Sequence, residues 1–558
     1  MAFRRKTLII TSLVLLAGIF LVLPLLNPLL EKTLDTYLRQ KIEIRQSSDL
    51  YAFSYEALDM NILKRQITLY NFRMTPLDSI REAFRKGEAE VNSLKELKIS
   101  RVEIEGVILA NFLWNKHIDI NKIQVDSVVL DLYIDDRSKT KPASEAKKPP
   151  AAVSLAGIRL PGVLELTLGS FNLDNLTLHQ MMLPNRDTLI KFTSQGGRID
   201  GLGMAKPSKD EASFFVPKLK NFTLFLNSEV LDLRKNLYTM GFRNMEYSFA
   251  EQNLHVRDLL FEPREVRDSF RLKNRYSYEI YEATSTDLIL EDFDLNAFLN
   301  EGEFLTNRML IDSLRLEIYR DKSLPFNTEK KRLLINQILA QGSFPFHVGE
   351  VNFRDAYLNY VEQTDVRAAP LVVDFADMDG TITNLTTIPD SMEASKPLMI
   401  KLNANLDQVI PMEVQIEMPY HSEFISAKGH TEGTSDFSSL NKTVLPAVGL
   451  QFKSGRLDGL NFNVKGTPRS LDGNLTLLYH NLEVSLYKEN YKKRKTLSWA
   501  ANMLLKRSNP KPNGNTVVGE IHTERLPYKG LGNYLWKAVE SGLINSLSPF
   551  GKHRVVKK

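Results

Sequence analysis

Beyond residue 45 apolar and polar residues alternate with a period of two. Phe222, Leu224 and Leu226 alternate in NFTLFLN, Ile400, Leu402, Ala404 and Leu406 in MIKLNANL, and Met412, Val414, Ile416 and Met418 in MEVQIEM. The same spacing links Leu475, Leu477 and Tyr479 in NLTLLYHN, and Leu482, Val484 and Leu486 in LEVSLY. It sets one face of each strand against apolar surroundings and the other in water. Such strands recur along the chain with few long helical stretches between them. The pattern predicts a mainly β fold with mostly antiparallel pairing and speaks against parallel βαβ units.

The two ends depart from this pattern. Positions 8–26, LIITSLVLLAGIFLVLPLL, carry no charge. At about 1.5 Å per residue they would span roughly 28 Å as a helix, close to the hydrocarbon thickness of a bilayer. Arg4, Arg5 and Lys6 precede them, a flank that stays in the cytoplasm. A cleavable signal peptide would need a small-x-small site after the apolar run, and LPLLNPLLEKTL has none. The expectation is a basic cytoplasmic N-terminus (1–7), a retained transmembrane helix (8–26) and a juxtamembrane helix (27–45) carried by Leu30, Leu34, Tyr37 and Leu38. The protein would then be single-pass in the inner (plasma) membrane with its bulk in a periplasm. At the other end, 491–558 reads as a helical and strand tail. Leu531, Leu535, Val539, Leu543 and Leu547 recur every four residues there. Such a helix docks on its own domain, or meets an outer-membrane or envelope protein partner.

Between the ends, 46–490 reads as one strand-rich region with an internal duplication, about 98–280 and 284–470. VDSVVLDLYID at 125–135 matches IDSLRLEIYRD at 311–321, and GSFNLDNLTL at 169–178 parallels GEVNFRDAYL at 349–358, in the same order. Repeats at this spacing suit a fold in which each strand segment stacks on the next. RSKTKPASEAKKPPAA (137–152) is a disordered or projecting loop by composition, and TTIPDSMEASKP (386–397) a shorter break.

Composition narrows the function classes. At 43% hydrophobic and 25% charged residues the chain is an ordinary folded protein, not a disordered one. A net charge of +5 from 72 basic and 67 acidic residues gives no case for a nucleic-acid partner. The absence of cysteine excludes disulfides, thiolate metal sites and a Cys nucleophile. The nine histidines are scattered, and no HExxH, GxSxG, Walker or strand-linked GxGxxG motif is present. Asp126 and Asp312 recur at equivalent repeat positions, where a turn or register role outweighs catalysis. No catalytic, cofactor-binding or metal-binding residue is assigned, no cofactor is expected, and the chain reads as a non-enzyme.

An apolar N-terminal run leading into a long train of amphipathic strands resembles the AsmA-like family of bacterial envelope proteins. The resemblance rests on YAFSYEALDMNILKRQITLYNFRMTP (51–76), IQVDSVVLDLYIDD, HVGEVNFRDAYLNYVE and SGRLDGLNFNVKGTPRSLDGNLTLLYHNLEV (454–484). It implies an inner-membrane anchor, an elongated sheet curled into an apolar groove with short C-terminal helices, and phospholipid as partner, in transport between membranes or outer-membrane homeostasis. A sheet whose apolar face no helix covers must curl or bind something greasy. The alternative is an assembly factor for outer-membrane proteins that acts by strand addition at an exposed edge, without lipid transfer. No feature of the sequence separates groove-lining residues from core residues, so the lining stays unknown at this point.

Overall fold

The computed structural model describes residues 27–557 except 41–49, 89–92, 108–116, 136–164, 184–186, 206–215, 219–222, 234–237, 266, 268, 270–274, 301–302, 343, 364–368, 393–395, 433–434, 496–497 and 499–504. Strand makes up 60% of the chain and helix 17%, so the fold is mainly β, with large curled sheets and short helices. Among the described residues no helix is long and apolar enough to cross a membrane. The expected anchor at 8–26, the 137–152 loop and most of 495–507 lie outside the described residues. Contacts divide the chain into two compact units, Met1–Val256 and Arg257–Lys558.

In the first unit, helix α1 (27–40) precedes the strands β1 (Tyr51–Ser54), β2 (Ala57–Asn61) and β3 (Gln66–Pro76). Polar contacts seat α1 on this opening hairpin. The Ile62 amide donates to Asn27 Oδ1 at 3.0 Å, the Tyr55 hydroxyl to Asp35 Oδ1 at 2.8 Å, and the Arg39 guanidinium lies 4.6 Å from the Tyr55 ring centre. Burial, together with the neighbouring Asp35 carboxylate, pushes the Tyr55 phenol up to about 12. Helix α2 (Asp78–Lys86) closes on Gly87, whose φ of 78° is the left-handed C-terminal stop that glycine adopts without strain. It buries Phe84 against Leu94. The sheet then continues through β4 (Ser93–Glu105), β5 (His117–Asp135), β6 (Glu165–Leu183) and β7 (Asp187–Ala205), with β8 (Val216–Lys218), β9 (Thr223–Leu233) and β10 (Tyr238–Ser248) completing it.

All of these pairings are antiparallel but one: β5 and β6 run parallel along their whole length, from His117 opposite Glu165 to Asp135 opposite Leu183. Parallel neighbours need a crossover rather than a tight turn, and the segment that joins β5 to β6 lies outside the described residues.

The chain passes into the second unit within β11 (Asn253–Pro263). There follow β12 (Glu279–Glu291), α3 (Leu295–Asn300), β13 (Phe304–Asp312), β14 (Arg315–Asp321), α4 (Ile335–Ala340), β15 (Phe346–Gln363) and β16 (Leu371–Thr386). Strand β12 pairs antiparallel with both β13 and β14, these two pair parallel with β15, and β15 pairs antiparallel with β16. This is the β4–β5–β6–β7 order of the first unit, with one long strand split in two.

The register repeats as well. Leu97 opposes Leu130 and Val102 opposes Val125 in the first unit; Ala283 opposes Leu316 and Leu288 opposes Ile311 in the second. Leu173 opposes Val125 and Phe353 opposes Ile311. Backbone irregularities fall at matching sites. Ser127 and Ser313 have φ of 54° and 50°, and Asn175 and Asp355 have 56° and 47°. Each breaks the two-residue alternation once and so re-aims the apolar face, as bulges do. Asn and Asp tolerate left-handed backbone better than most residues, which suits the second pair of positions.

Beyond β16 the second unit extends antiparallel through β17 (Leu398–Leu406), β18 (Ile410–Met418), β19 (Ile425–Thr431), β21 (Leu450–Gly466), β22 (Ser470–Leu486), β23 (Thr516–Glu524) and β24 (His553–Val556). The short β20 (Ser435–Asp436) pairs with β21. Helices α5 (Asn441–Val448) and α6 (Leu531–Leu547) complete the unit. The tail beginning at 491 is thus partly sheet, since β23 pairs with β22 and β24 with β23.

Candidate apolar ligand surface

In the first unit, the registers line up apolar side chains into rows that cross the strands. One row runs Met60, Ile67, Ile104, Ile123, Phe171 and Ile199, from β2 to β7, each residue opposite the next. A second runs Leu58, Leu69, Val102, Val125 and Leu173 and ends on Gly197. Further along the strands lie Phe72, Ile99, Val128 and Leu176, then Met74, Leu97, Leu130, Leu178 and Phe192. At about 4.8 Å between strands, a six-strand row is roughly 24 Å wide.

All six side chains of the first row are only half-buried. A few neighbours on the same face, Leu58, Val125, Val128 and Leu168, are buried. Fully burying an aliphatic or aromatic side chain stabilises by about 1.5–3 kcal/mol. A partly covered row of six therefore leaves on the order of 3 kcal/mol of apolar burial unrealised.

The opposite face of the same strands is polar. Asp126 lies 3.7 Å from Arg101, Asp131 lies 2.8 Å from His179, and Gln124 Nε2 donates to Asp174 Oδ2 at 2.7 Å. The Gln124–Asp174 pair lines a shallow polar hollow of about 270 Å³ together with Asn172 and Arg198. The two faces of one sheet thus differ sharply in what they can bind.

The second unit treats its matching face differently. Ile382, Ile400, Ile416, Ala427 and Val464 oppose one another in turn across β16–β21, and the row continues through Gly473 to Ile521 on β23. Here Ile400, Ile416, Ala427, Val464 and Ile521 are all buried. They belong to one large core that includes Leu398, Met418, Ile425, Leu471, Leu475, Tyr479 and Tyr534. Helix α6 covers the core over β22 and β23.

The leucine stripe read from the sequence, Leu531 to Leu547, packs on this core only partly buried. The innermost stripe is Tyr534, Ala538, Gly542 and Ser546. A Cβ on Gly542 would come within 2.6 Å of the Leu475 Cβ, and one on Gly519 within 2.4 Å of the Gly542 carbonyl oxygen. Helix and sheet therefore touch backbone to backbone, an approach that only small residues permit. An uncovered apolar face along the whole of 46–490 is not what the second unit has: from β17 to β23 the face is filled, while on β12–β15 Leu288, Ile311 and Phe353 are half-buried like their counterparts in the first unit.

The recurring aspartates stand beside the irregular backbone positions. Asp126 accepts from Gln124 at 3.2 Å and precedes Ser127, and the Asp312 carbonyl accepts from Ser285 Oγ at 2.7 Å and precedes Ser313. Among the described residues no group of three or more His, Asp or Glu side chains is placed to hold a metal ion. The lining rows named above escaped sequence reading because half-buried and fully buried strands show identical alternation.

No protein-family model matches the chain, and no curated protein matches it by sequence.

Proposed function

We propose that the protein is a membrane-anchored envelope protein whose first unit binds the acyl chains of phospholipid along the half-buried rows of β2–β7, in lipid transport between membranes or outer-membrane homeostasis. The observation that carries this reading is the contrast in burial between Met60–Ile67–Ile104–Ile123–Phe171–Ile199 and the filled row of the second unit. One leaflet's hydrocarbon is roughly 15 Å deep, so a lipid tail fits within a 24 Å row. Each methylene taken up contributes about 0.8 kcal/mol, while a headgroup stays in water. The apolar, uncharged run at 8–26 and the resemblance to AsmA-like proteins support anchoring in an inner membrane with the strands in the periplasm. The groove in this reading does not extend over β17–β23, where the face is filled.

Extraction of phospholipid from the purified full chain tests the reading. Wild type is expected to retain phospholipid in stoichiometric amount, and I104E/I123E/F171E to lose it while keeping its strand content. Wild-type protein free of lipid, or a variant with undiminished lipid, would overturn the reading.

A second reading, strand addition without lipid transfer, has one observation in its favour. Val555 and Val556 on the terminal strand β24 are exposed, and Phe550 just before it is 85% exposed. Crosslinking through β24 to a barrel-assembly component, in protein without lipid, would favour it.

A further inference from the structure

Three chain segments of the second unit converge at one end of its sheet: 331–337 leading into α4, 468–470 at the start of β22, and 524–527 at the end of β23. They enclose a cavity of about 480 Å³ lined by Lys331, Arg332, Gln337, Arg469, Ser470 and Arg525, with Glu524 as its one carboxylate among the described residues.

Hydrogen bonds fix this convergence. The Arg332 amide donates to the Pro527 carbonyl at 2.8 Å, and the Arg525 amide to the Arg469 carbonyl at 2.8 Å. Arg525 Nη2 donates to the carbonyls of Arg332 (2.6 Å) and Lys529 (3.1 Å). The Tyr534 hydroxyl, from α6, donates to the Thr467 carbonyl at 2.8 Å. Of the lining cations, the Arg525 guanidinium is thereby held in place, and Arg332 is held by Glu279.

Their charge is not balanced. Of the four lining cations, Arg332 alone has a carboxylate, Glu279, at 2.8 Å, and Glu279 also serves Arg320. No carboxylate among the described residues pairs with Lys331, Arg469 or Arg525. Arg525 Nε is buried and makes no hydrogen bond, and Nη2 of Arg320, which shares Glu279 with Arg332, is in the same condition. Lys529, close by over the Phe326 ring, adds a further cation. Burial, with the charges of Arg320 and Lys322, lowers the Lys529 ammonium to about 8, and burial also lowers Arg525. For Lys529 burial and the neighbouring cations outweigh the carboxylates of Glu362 and Glu279; for Arg525 burial is the cause.

We infer that this cavity is a binding site for a phosphate group, held by Lys331, Arg332, Arg469 and Arg525. Guanidinium forks match the oxygens of a phosphate two at a time, and several converging cations favour a multiply charged tetrahedral anion over a single planar carboxylate. The phosphate belongs either to a soluble ester or to a lipid headgroup, and the same side chains would hold both. The inference does not depend on the apolar rows of the first unit.

The test is ³¹P NMR of the full chain in detergent, with inorganic phosphate and with a monomeric short-chain phosphatidylglycerol as probes. Lys331 and Arg469 are exposed and have no carboxylate partner among the described residues, so K331E/R469E should keep the wild-type thermal midpoint, with K331Q/R469Q as a gentler substitute. The wild type is expected to broaden the phosphate line, and the double variant to bind at least tenfold more weakly. Displacement of phosphate by the short-chain lipid supports the inference with a headgroup as ligand. Broadening of inorganic phosphate alone supports it with a soluble phosphate. Equal broadening by wild type and double variant, or none at millimolar phosphate, would overturn it. Loss of lipid retention in I104E/I123E/F171E with phosphate binding intact keeps the two readings separate.

Discussion

The apolar rows of β2–β7 and of β16–β23 come from the same alternation, and within the repeated strands from nearly the same register. They differ in what lies on top of them. In the second unit a helix with a small-residue stripe comes within backbone contact of β22 and β23, and the row beneath it is dry. In the first unit the row is half-covered. Amphipathic strands therefore prepare an apolar face, but a separate element decides whether that face becomes core or surface. Over β22 and β23 that element is α6, and within it Gly542 and Ala538.

The most direct way to break the comparison is to lift that helix. Gly542→Leu places side-chain atoms where Leu475 and Ile521 already stand, and overpacking at a rigid contact should destabilise the second unit by about 3 kcal/mol or more. Hydrogen exchange would register faster opening of β21–β23, with β4–β6 unchanged.

The clamp of α5 comes next. Lys442 Nζ sits 2.9 Å from Asp374 Oδ2 and 3.5 Å from Asp407 Oδ1, and both aspartates are buried. Burial works against the ammonium, but the Asp374 hydrogen bond and the Asp407 charge outweigh it and hold the lysine above its usual range. Lys442→Met leaves two buried carboxylates facing one another and should cost about 3 kcal/mol in urea unfolding.

A matched pair of truncations sharpens the contrast between the rows. Ile416→Ala in the filled row should cost about 3 kcal/mol, as buried isoleucines do, and Ile123→Ala in the half-covered row about 1 kcal/mol. Equal losses, measured by urea unfolding, would mean that the first unit is as well packed as the second.

The smallest effect is electrostatic. The folded pKa of Lys529, about 8, lies below its unfolded value of about 10.4. Between those two values the unfolded chain holds the proton that the folded one has lost, so stability rises with pH there. The penalty is fully present below about pH 8. Lys529→Met should therefore be more stable than wild type at pH 7.5, by about 1 kcal/mol once solvent screening is allowed for, and the gap should close towards pH 10.5. Bound phosphate should raise this pKa and narrow the same gap.

Much of the fold was legible in the residues. The alternation in MIKLNANL and MEVQIEM corresponds to β17 and β18, which pair antiparallel with Ile400 opposite Ile416. The helical period at 531–547 corresponds to α6. The likeness of 125–135 to 311–321 lies on strands whose neighbours pair in one register. The parallel steps β5–β6 and β14–β15 were not legible, because alternation is blind to strand direction and the one helix between β14 and β15, α4, is too short to show a clear helical period in the sequence. The innermost stripe of α6 was not legible for a different reason: the leucines, which do pack on the core, dominate any periodicity count, while the glycine and alanine beside them set how close the helix can come. Nor did the cationic cavity leave a trace in the sequence, since Arg332, Arg469 and Arg525 are far apart along the chain and each is an ordinary residue where it stands.

By itself the sequence determined the β character, the places of most strands and the helical character of the C-terminal stripe, because these follow from local periodicity and backbone preference. Tertiary structure alone decided which apolar faces are dry, which are half-wet and which scattered cations share a cavity. Those outcomes depend on which segments meet, and a helix that reaches one sheet face leaves another uncovered.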